Sequence, residues 1–512
     1  MKASSRVILN TVISYARIAV TMVVSLFTTR LALDVLGVVD YGIYNLVAGV
    51  VALLAFLNST LTVSTQRYLS YNQGNRRMDL QKEVFQSSLV MHIVVGFGLV
   101  VVMELAGIFI FEMTLDIPEE RMEAAKYIYH FLVLSVFFTV LSTPFTASIN
   151  AHEEIHWIAL VNILDVLIKL GIAFLLYSIE GDRLMIYGIL MPSIAIFIFF
   201  IYMTVAFWRY NECTLAGIYI TGFSKIKEMG IYAGWNLFAN LAWLGRTQGA
   251  SILLNIFFGT IANAAYAISL QINTKIRFFS SSLLQVLNPQ IMKSEGAGDR
   301  GRMLRLSMMA SKFAFLLIAM ICIPLMFEMN IILGVWLKEV PENAAIYGQL
   351  TLLAILINQI TIGLQSAVQA IGRIKYYQLV IGSWMLLSVF IAYLLLMYGM
   401  ESYSIFVCFV VAEAIACILK LVFIHKIAGL SCFLYLKRVI ARIAIPAGAS
   451  FLACWFIVSY VDFPIRFVLT GCVSVIVISC VTYLFGLYSD ERKLVDSLID
   501  QIIMKAKKVF IE

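Results

Sequence analysis

Apolar runs of some twenty residues recur along the whole chain, each closed by a short cluster of charged residues, glycine or asparagine. A helix needs about 20 mostly apolar residues to cross the hydrocarbon core of a bilayer. Cutting the chain at its polar clusters predicts fourteen such helices, at roughly 7–33, 43–65, 86–111, 122–149, 158–179, 184–208, 229–257, 260–288, 305–334, 346–371, 377–399, 404–426, 439–460 and 465–488. The expected fold class is an all-α polytopic membrane protein. The basic start, MKASSRVILNTVISYARI, has no small-residue cleavage site after a short apolar core, so it reads as the beginning of the first span rather than a removed signal.

The connecting segments alternate in charge. One set holds most of the chain's 37 Lys and Arg, among them Arg76, Arg77, Lys82, Arg209, Lys225, Arg300, Arg302, Arg373, Lys437 and Arg438. The other holds only Arg121, Arg183, Lys338 and Arg466. The positive-inside rule then places both termini in the cytoplasm. After the last span, SDERKLVDSLIDQIIMKAKKVFIE (489–512) reads as a cytoplasmic amphipathic tail helix along the inner leaflet, with Ser489 and Asp490 as cap candidates.

The chain also matches itself. At an offset of 222, Gly37 meets Gly259, Tyr44 meets Tyr266, Ser59 meets Ser281 and Gly74 meets Gly296. Further on the offset becomes 219, where Leu160 meets Leu379 and Leu167 meets Leu386. Helix 1 corresponds to helix 7 and both start on the basic side, so these are parallel repeats about an axis along the membrane normal. The expected organisation is an N-lobe over 1–210, a C-lobe over 211–427, two added helices over 428–488 and the tail.

Polar residues inside the spans carry the candidate chemistry. In helix 1, Asn10, Ser14, Arg17, Thr21, Ser25 and Thr28 fall on one narrow stripe at helical spacing. Such a stripe must face protein or water, and its plain reading is interhelical hydrogen bonding. Helix 7 repeats the face with Asn236, Asn240, Thr247 and Ser251, with Arg246 to one side. In helix 8, Tyr266, Asn273, Arg277 and Ser280 share a face, while Lys275 points elsewhere. A cation at mid-bilayer costs at least about 2.5–3.5 kcal/mol unless hydrated or paired. Arg17, Arg246, Lys275 and Arg277, with Asn236, Asn240 and Asn273 beside them, therefore suggest a cationic cavity suited to a polyanion such as a diphosphate. The alternative is that each arginine is tied to carbonyls or a carboxylate for packing. Asp165 and Lys169 are spaced to neutralise each other, and Arg30, Lys126, Lys312 and Lys420 are expected to snorkel from helix ends. Glu104 and Glu413 have no partner adjacent in sequence. Glu413 and Asp165 are the candidates for coupling to a proton or sodium gradient, although pairing of Glu413 with a cation from another helix is the plainer reading.

Composition narrows the class further. The chain is 62% hydrophobic and 13% charged, with mean hydropathy +0.93, against about 25% charged for a soluble domain. Its net charge of +7 follows the basic loops and implies no nucleic-acid partner. The eight cysteines show no C-x-x-C spacing and behave as small hydrophobes. Residues 152–156, HEEIH, match H-E-x-x-H, which on a helix can hold zinc with the glutamate as general base. No third ligand is at hand: His92, His130 and His425 lie elsewhere, Asp165 is the only acid in the next helix, and the repeat places the motif on a connector. The expectation is a solvated cap between helices 4 and 5, no metal, and no enzymatic activity.

The segment LALDVLGVVDYGIYNLVAGVVALLAFLNSTLTVSTQRYLS, with Leu36, Gly37, Tyr41, Gly42 and Tyr44, resembles the opening of the bacterial polysaccharide and O-antigen flippases. These belong to the superfamily of multidrug, oligosaccharidyl-lipid and polysaccharide exporters. The resemblance implies two six-helix lobes, alternating access in the bacterial inner membrane, and transfer of a polyprenyl-diphosphate-linked oligosaccharide from the inner to the outer leaflet. It implies membrane lipids and surface-polysaccharide assembly proteins such as a polymerase as partners, and basic residues in a central cavity. A cation-coupled multidrug exporter of the same superfamily and a lipid II flippase are the alternatives. The former would favour buried carboxylates over buried arginines.

Overall fold

The structure is a computed structural model that describes residues 3–52, 56–113, 117–216, 223–337, 339–463, 465–489, 491–492 and 496. The tail helix expected over 489–512 lies almost wholly outside the described residues. Among those described, regular structure is entirely helical. In chain order the α-helices are α1 Ala3–Ala52, α2 Phe56–Gly74, α3 Met78–Met113, α4 Glu119–Leu141, α5 Thr143–Ala151, α6 Ile155–Leu175, α7 Arg183–Arg209 and α8 Phe223–Gly296. They continue with α9 Arg300–Phe327, α10 Met329–Trp336, α11 Ala344–Gln359, α12 Ile362–Ile371, α13 Lys375–Met397, α14 Ser404–Ala428, α15 Cys432–Tyr435, α16 Ala441–Tyr460 and α17 Arg466–Val481. A π-helical turn at Leu436–Ile440 joins α15 to α16, and another at Thr482–Gly486 follows α17. With no water in hydrocarbon to satisfy the backbone, each span must close its own hydrogen bonds, and only helices do so within one segment.

Two of the helices are broken at one residue each. Gly37 in α1 has φ 77° and ψ 169°, and Gly259 in α8 has φ 78° and ψ −168°. These are the two glycines that the 222-residue offset pairs, and this backbone region is open only to glycine. In α8 the break is a fold-back. Ser251 Oγ donates to Asn263 Oδ1 at 2.6 Å, and the Tyr266 hydroxyl donates to the Thr247 carbonyl at 3.4 Å. In a straight helix residues 251 and 263 would stand about 18 Å apart. α8 is therefore two arms, 223–258 and 260–296. A Cβ at Gly259 would touch nothing within 4 Å, so Gly259→Ala isolates the backbone cost. It is expected to lower stability by about 1–3 kcal/mol, read as a drop in the melting temperature of the detergent-solubilised protein. An unchanged melting temperature would mean that the fold-back does not need this conformation.

Eleven helices among the described residues are long and apolar enough to cross a membrane, or twelve if α11 and α12, bent by 44° at their break, form one span. The predicted fourteen is not reproduced by this tally, for two reasons. α8 enters it as one helix although it doubles back. The second predicted span is divided by residues 53–55, which are outside the described set.

The described residues divide into two compact units, one of 9–237 with 296–298 and one of the remainder. In the first, Ile43, Val47, Met103, Ile128, Tyr129 and Val133 form an apolar core joining α1, α3 and α4. A second cluster packs Ala32, Val35 and Leu36 of α1 against Leu176 and Tyr187, with Tyr44 edge-on to Tyr187 at 4.8 Å. The second unit is built around α9, whose Ala310, Ala314, Ile318, Ala319 and Cys322 are fully buried. Small side chains let helix backbones approach closely in a bilayer, where dispersion and short polar contacts supply the cohesion. Ser450 and Ser474 join α16 to α17 at 2.9 Å, and Ser474 donates to the Met320 carbonyl of α9 at 3.3 Å.

Candidate functional site

A cavity of about 530 Å³, counting its open mouth, lies within the second unit. Four segments line it with side chains at helical spacing. The first arm of α8 brings Arg246 and Thr247. The second arm brings Tyr266, Leu270, Asn273 and Arg277, which recur every three or four residues and so share a face. α14 brings Phe406, Phe409 and Glu413, again on one face, and α11 closes the wall with Thr351, Ala354 and Ile355.

The charged core is an ion pair. Arg246 Nη1 donates to Glu413 Oε1 at 2.6 Å and Nη2 donates to the Phe409 carbonyl at 3.2 Å. The same guanidinium lies over the Phe409 ring at 4.2 Å, where the ring's negative face adds to its stabilisation. Asn358 Nδ2 donates to Glu413 Oε2 at 3.0 Å, so both carboxylate oxygens are engaged. Arg277 is half-buried; its Nε donates to Asn273 Oδ1 at 2.8 Å. It lies within electrostatic reach of both Glu413 and Arg246. The cavity thus holds two guanidiniums against one carboxylate.

The nine residues singled out from the sequence are distributed unevenly. Arg246, Asn273, Arg277 and Glu413 line this one cavity. Arg246, expected as an unpaired cation, is neutralised by Glu413, which comes 167 positions later. Lys275 is exposed and outside the lining, because two residues along a helix turn it about 200° away from Asn273. Asn240 is half-buried and also outside it. Asn236 is buried in the first unit and donates to the Tyr232 carbonyl of its own helix at 3.0 Å. Asp165 accepts from Lys169 at 2.8 Å, one turn along α6. Arg17 is buried in the first unit, with Tyr202 within electrostatic reach of both it and Asp165. Among the described residues no carboxylate pairs with Arg17. Of the helix 1 stripe, Thr21, Ser25 and Thr28 donate to carbonyls of their own helix rather than across an interface, and Ser25 is exposed.

Other expectations change as well. Lys312 and Lys420 do not snorkel; each is 1% exposed. Lys312 pairs with Glu491 and donates to the Gly486 carbonyl at 3.2 Å, and Lys420 is within electrostatic reach of Glu413. Glu104 has a partner, His130 of α4, at 2.8 Å.

The H-E-x-x-H stretch does not lie on one helix. α5 ends at Ala151 and α6 begins at Ile155, with Glu153 between them in the left-handed region at φ 62°. The two imidazoles therefore cannot stand one turn apart on a common face. His152 is packed rather than solvated: it is hydrogen-bonded to Glu212 at 2.6 Å and to Gln73 at 3.0 Å, and it stacks on Tyr210 with ring centroids 4.1 Å apart. Tyr210 in turn donates to Glu154 at 3.1 Å, and Asn10 Nδ2 donates to the Glu153 carbonyl at 2.7 Å. Burial, reinforced by Glu154, raises the Tyr210 phenol above its ordinary value, and burial pushes the nearby Cys213 thiol up to about 12. Both stay protonated at neutral pH, so the connector is a structural knot with an inert thiol.

Comparisons with known proteins agree on the architecture. Residues 14–175 match the MatE family model. No curated protein matches the chain by sequence. Among solved structures, the chain is similar to a multidrug resistance MATE family transporter of the MOP superfamily in an outward-facing conformation, at TM-score 0.68 and 13% identity, covering 84% of this chain and 96% of that one. It is similar to the MATE transporter ClbM in complex with Rb+ at TM-score 0.65 and 14% identity, over 85% and 96%. It is also similar to a MOP superfamily transporter from Pyrococcus furiosus, described as having a binding pocket of reverse polarity that suggests a different function. That likeness is at TM-score 0.64 and 14% identity, over 84% and 96%. The chain has the fold of the MATE transporters.

Proposed function

We propose that this protein is an alternating-access transporter that moves a polyprenyl-diphosphate-linked oligosaccharide from the inner to the outer leaflet of a bacterial inner membrane. The fold supports transport. The charge of the cavity supports the substrate class, and the state of Arg277 is the observation that carries it. Glu413 is saturated by Arg246 and Asn358, so Arg277, held by the neutral amide of Asn273, carries the surplus positive charge. A guanidinium in a low-dielectric cavity is costly until an anion meets it. Its planar fork matches two phosphate oxygens at once. Arg17, buried in the other unit, supplies a second guanidinium that pairs with no carboxylate among the described residues. The pocket of reverse polarity described for the Pyrococcus furiosus transporter supports the view that cavity charge varies with substrate on this fold.

One observation favours the second reading, a cation-coupled exporter of amphipathic drugs: the cavity contains a buried carboxylate, Glu413. In that reading Arg246 would have to leave Glu413 for a proton or sodium ion to take its place. A lipid II flippase would use the same charge logic as the first reading.

The test follows the lipid. In sealed spheroplasts of a deletion strain, the lipid-linked glycan is expected to accumulate shielded from external reagents, and the wild-type gene should restore its exposure. Arg277→Gln removes one charge-assisted contact worth about 1.5–3 kcal/mol, so flipping is expected to slow roughly tenfold or more. If deletion leaves the glycan lipid exposed and alters drug tolerance instead, the flippase reading fails and Glu413→Gln becomes the informative variant.

A further inference from the structure

The second cavity of the second unit has a different character. It also measures about 530 Å³ with its mouth and lies at the basic end of α9, bounded by Arg438 in the π-helical turn and by Tyr488 and Glu491 after α17. Arg302, Arg305, Met309 and Lys312 recur along one stripe of α9, so the clustering of cations follows from helical spacing. Four cations thus face one carboxylate. That carboxylate is already consumed, because Glu491 Oε2 pairs with Lys312 and accepts from the Tyr488 amide at 2.8 Å. Arg302 and Arg305 are exposed, and among the described residues neither they nor Arg438 forms an ion pair. The Tyr488 ring fixes the wall: Arg438 and Arg442 lie over it at 5.2 and 4.6 Å.

We infer that this cavity is a binding site for the phosphate-bearing headgroup of an anionic lipid from the leaflet on the basic side of the membrane. The charge alone would suit any phosphate anion. The surroundings favour a lipid. Leu306, Met308 and Met309 supply an apolar part of the lining. Leu436, two residues before Arg438, and Leu484 and Phe485, four and three residues before Tyr488, are 46%, 59% and 53% exposed, on helices apolar enough to lie in hydrocarbon. A headgroup among the arginines would leave its acyl chains against those side chains, where a soluble phosphate would contact nothing. Basic pockets between spanning helices near the interface are suited to such headgroups. The inference does not depend on what the other cavity transports.

The experiment uses the full chain in neutral detergent. Its thermal unfolding is followed while short-chain phosphatidylglycerol, short-chain phosphatidylcholine or inorganic phosphate is titrated in. Phosphatidylglycerol is expected to raise the melting temperature saturably, and the other two to have little effect at equal concentration. Arg302→Gln with Arg305→Gln is expected to weaken the phosphatidylglycerol response roughly thirtyfold, at about tenfold or less per cation. Both side chains are exposed, so the ligand-free melting temperature should stay near wild type. Arg76→Gln with Lys82→Gln removes two exposed cations of the first unit and should leave the response intact. An equal response to phosphatidylcholine, or an undiminished response in the Arg302/Arg305 variant, would overturn the site. A full response to inorganic phosphate would overturn the lipid and leave a soluble anion. An equal loss in the Arg76/Lys82 variant would reduce the effect to overall charge.

Discussion

Arg246→Ala is expected to destabilise the second unit by about 3–5 kcal/mol, the usual consequence of leaving a buried charge without its partner. The side chains of Arg246 and Glu413 are 9% and 4% exposed. Removing the guanidinium takes away the 2.6 Å contact to Glu413, the bond to the Phe409 carbonyl and the contact with the Phe409 ring. The carboxylate would keep only Asn358. Replacing both partners tests the cause, since a buried pair exchanged for groups of similar shape is often neutral or stabilising. Arg246→Met with Glu413→Gln should therefore recover most of the melting temperature lost by Arg246→Ala. A double variant as unstable as the single one would show that the cost lies in the lost packing of Arg246 rather than in the stranded carboxylate. The cycle also bears on function. A low transport rate in Arg246→Ala reports folding as much as substrate contact, which is why Arg277, half-buried and held by the neutral amide of Asn273, is the cleaner probe of the cavity.

Arg466→Ala is expected to cost a similar amount, about 3–5 kcal/mol, at the opposite end of the unit's helices from the basic pocket. Glu328, between α9 and α10, has a fully buried side chain. Arg466 grips both its oxygens, from Nε at 2.9 Å and Nη2 at 3.1 Å, and Thr470 donates to it at 2.8 Å. The remaining nitrogen, Nη1, donates to the Val458 and Val461 carbonyls at the end of α16, at 3.2 and 3.1 Å. One guanidinium thus ties the end of α9 to the end of α16 and the start of α17. Without it Glu328 keeps a single hydroxyl. Arg466→Lys preserves the charge but cannot span two carboxylate oxygens and two carbonyls together, so its loss should be intermediate. Thermal unfolding in detergent measures both. Equal losses for Lys and Ala would show that the fork geometry, and not the charge, holds these helix ends. No loss in either would mean the buried carboxylate is relieved by protonation.

Arg466 shows how far the sequence could be read. It stood out as one of only four cations in the sparsely charged loops, yet nothing near it named Glu328, 138 positions away. The Glu413 partner is 167 positions from it and the Lys312 partner 179. Lys312 and Lys420 lie near the ends of their predicted spans, where snorkelling is the expectation, but Lys312 meets Glu491 from beyond α17 and Lys420 lies within reach of Glu413, two turns earlier on its own helix. The same limit applied to the histidines. H-E-x-x-H is a statement about one helix, and whether a helix runs through it depended on the turn at Glu153 and on the packing of His152 against Tyr210 and Glu212.

What could be read without the structure is what the bilayer makes local. In hydrocarbon each span must satisfy its backbone within itself, so apolar length predicts helices, and the repeat pairs Gly37 with Gly259, the two residues at which the structure breaks a helix. The shared face of Tyr266, Asn273 and Arg277 likewise follows from 3.6 residues per turn. What needed the packed chain was the rotation of each helix and the identity of its neighbours. Those decided that Arg246 is neutralised while Arg277 is not, that Lys275 faces away, and that Arg302, Arg305 and Lys312 meet Arg438 and Tyr488 around one pocket. Such contacts depend on side chains brought together from distant positions, and the free energy of each depends on the dielectric and the partner it finds there, neither of which is a property of a single helix.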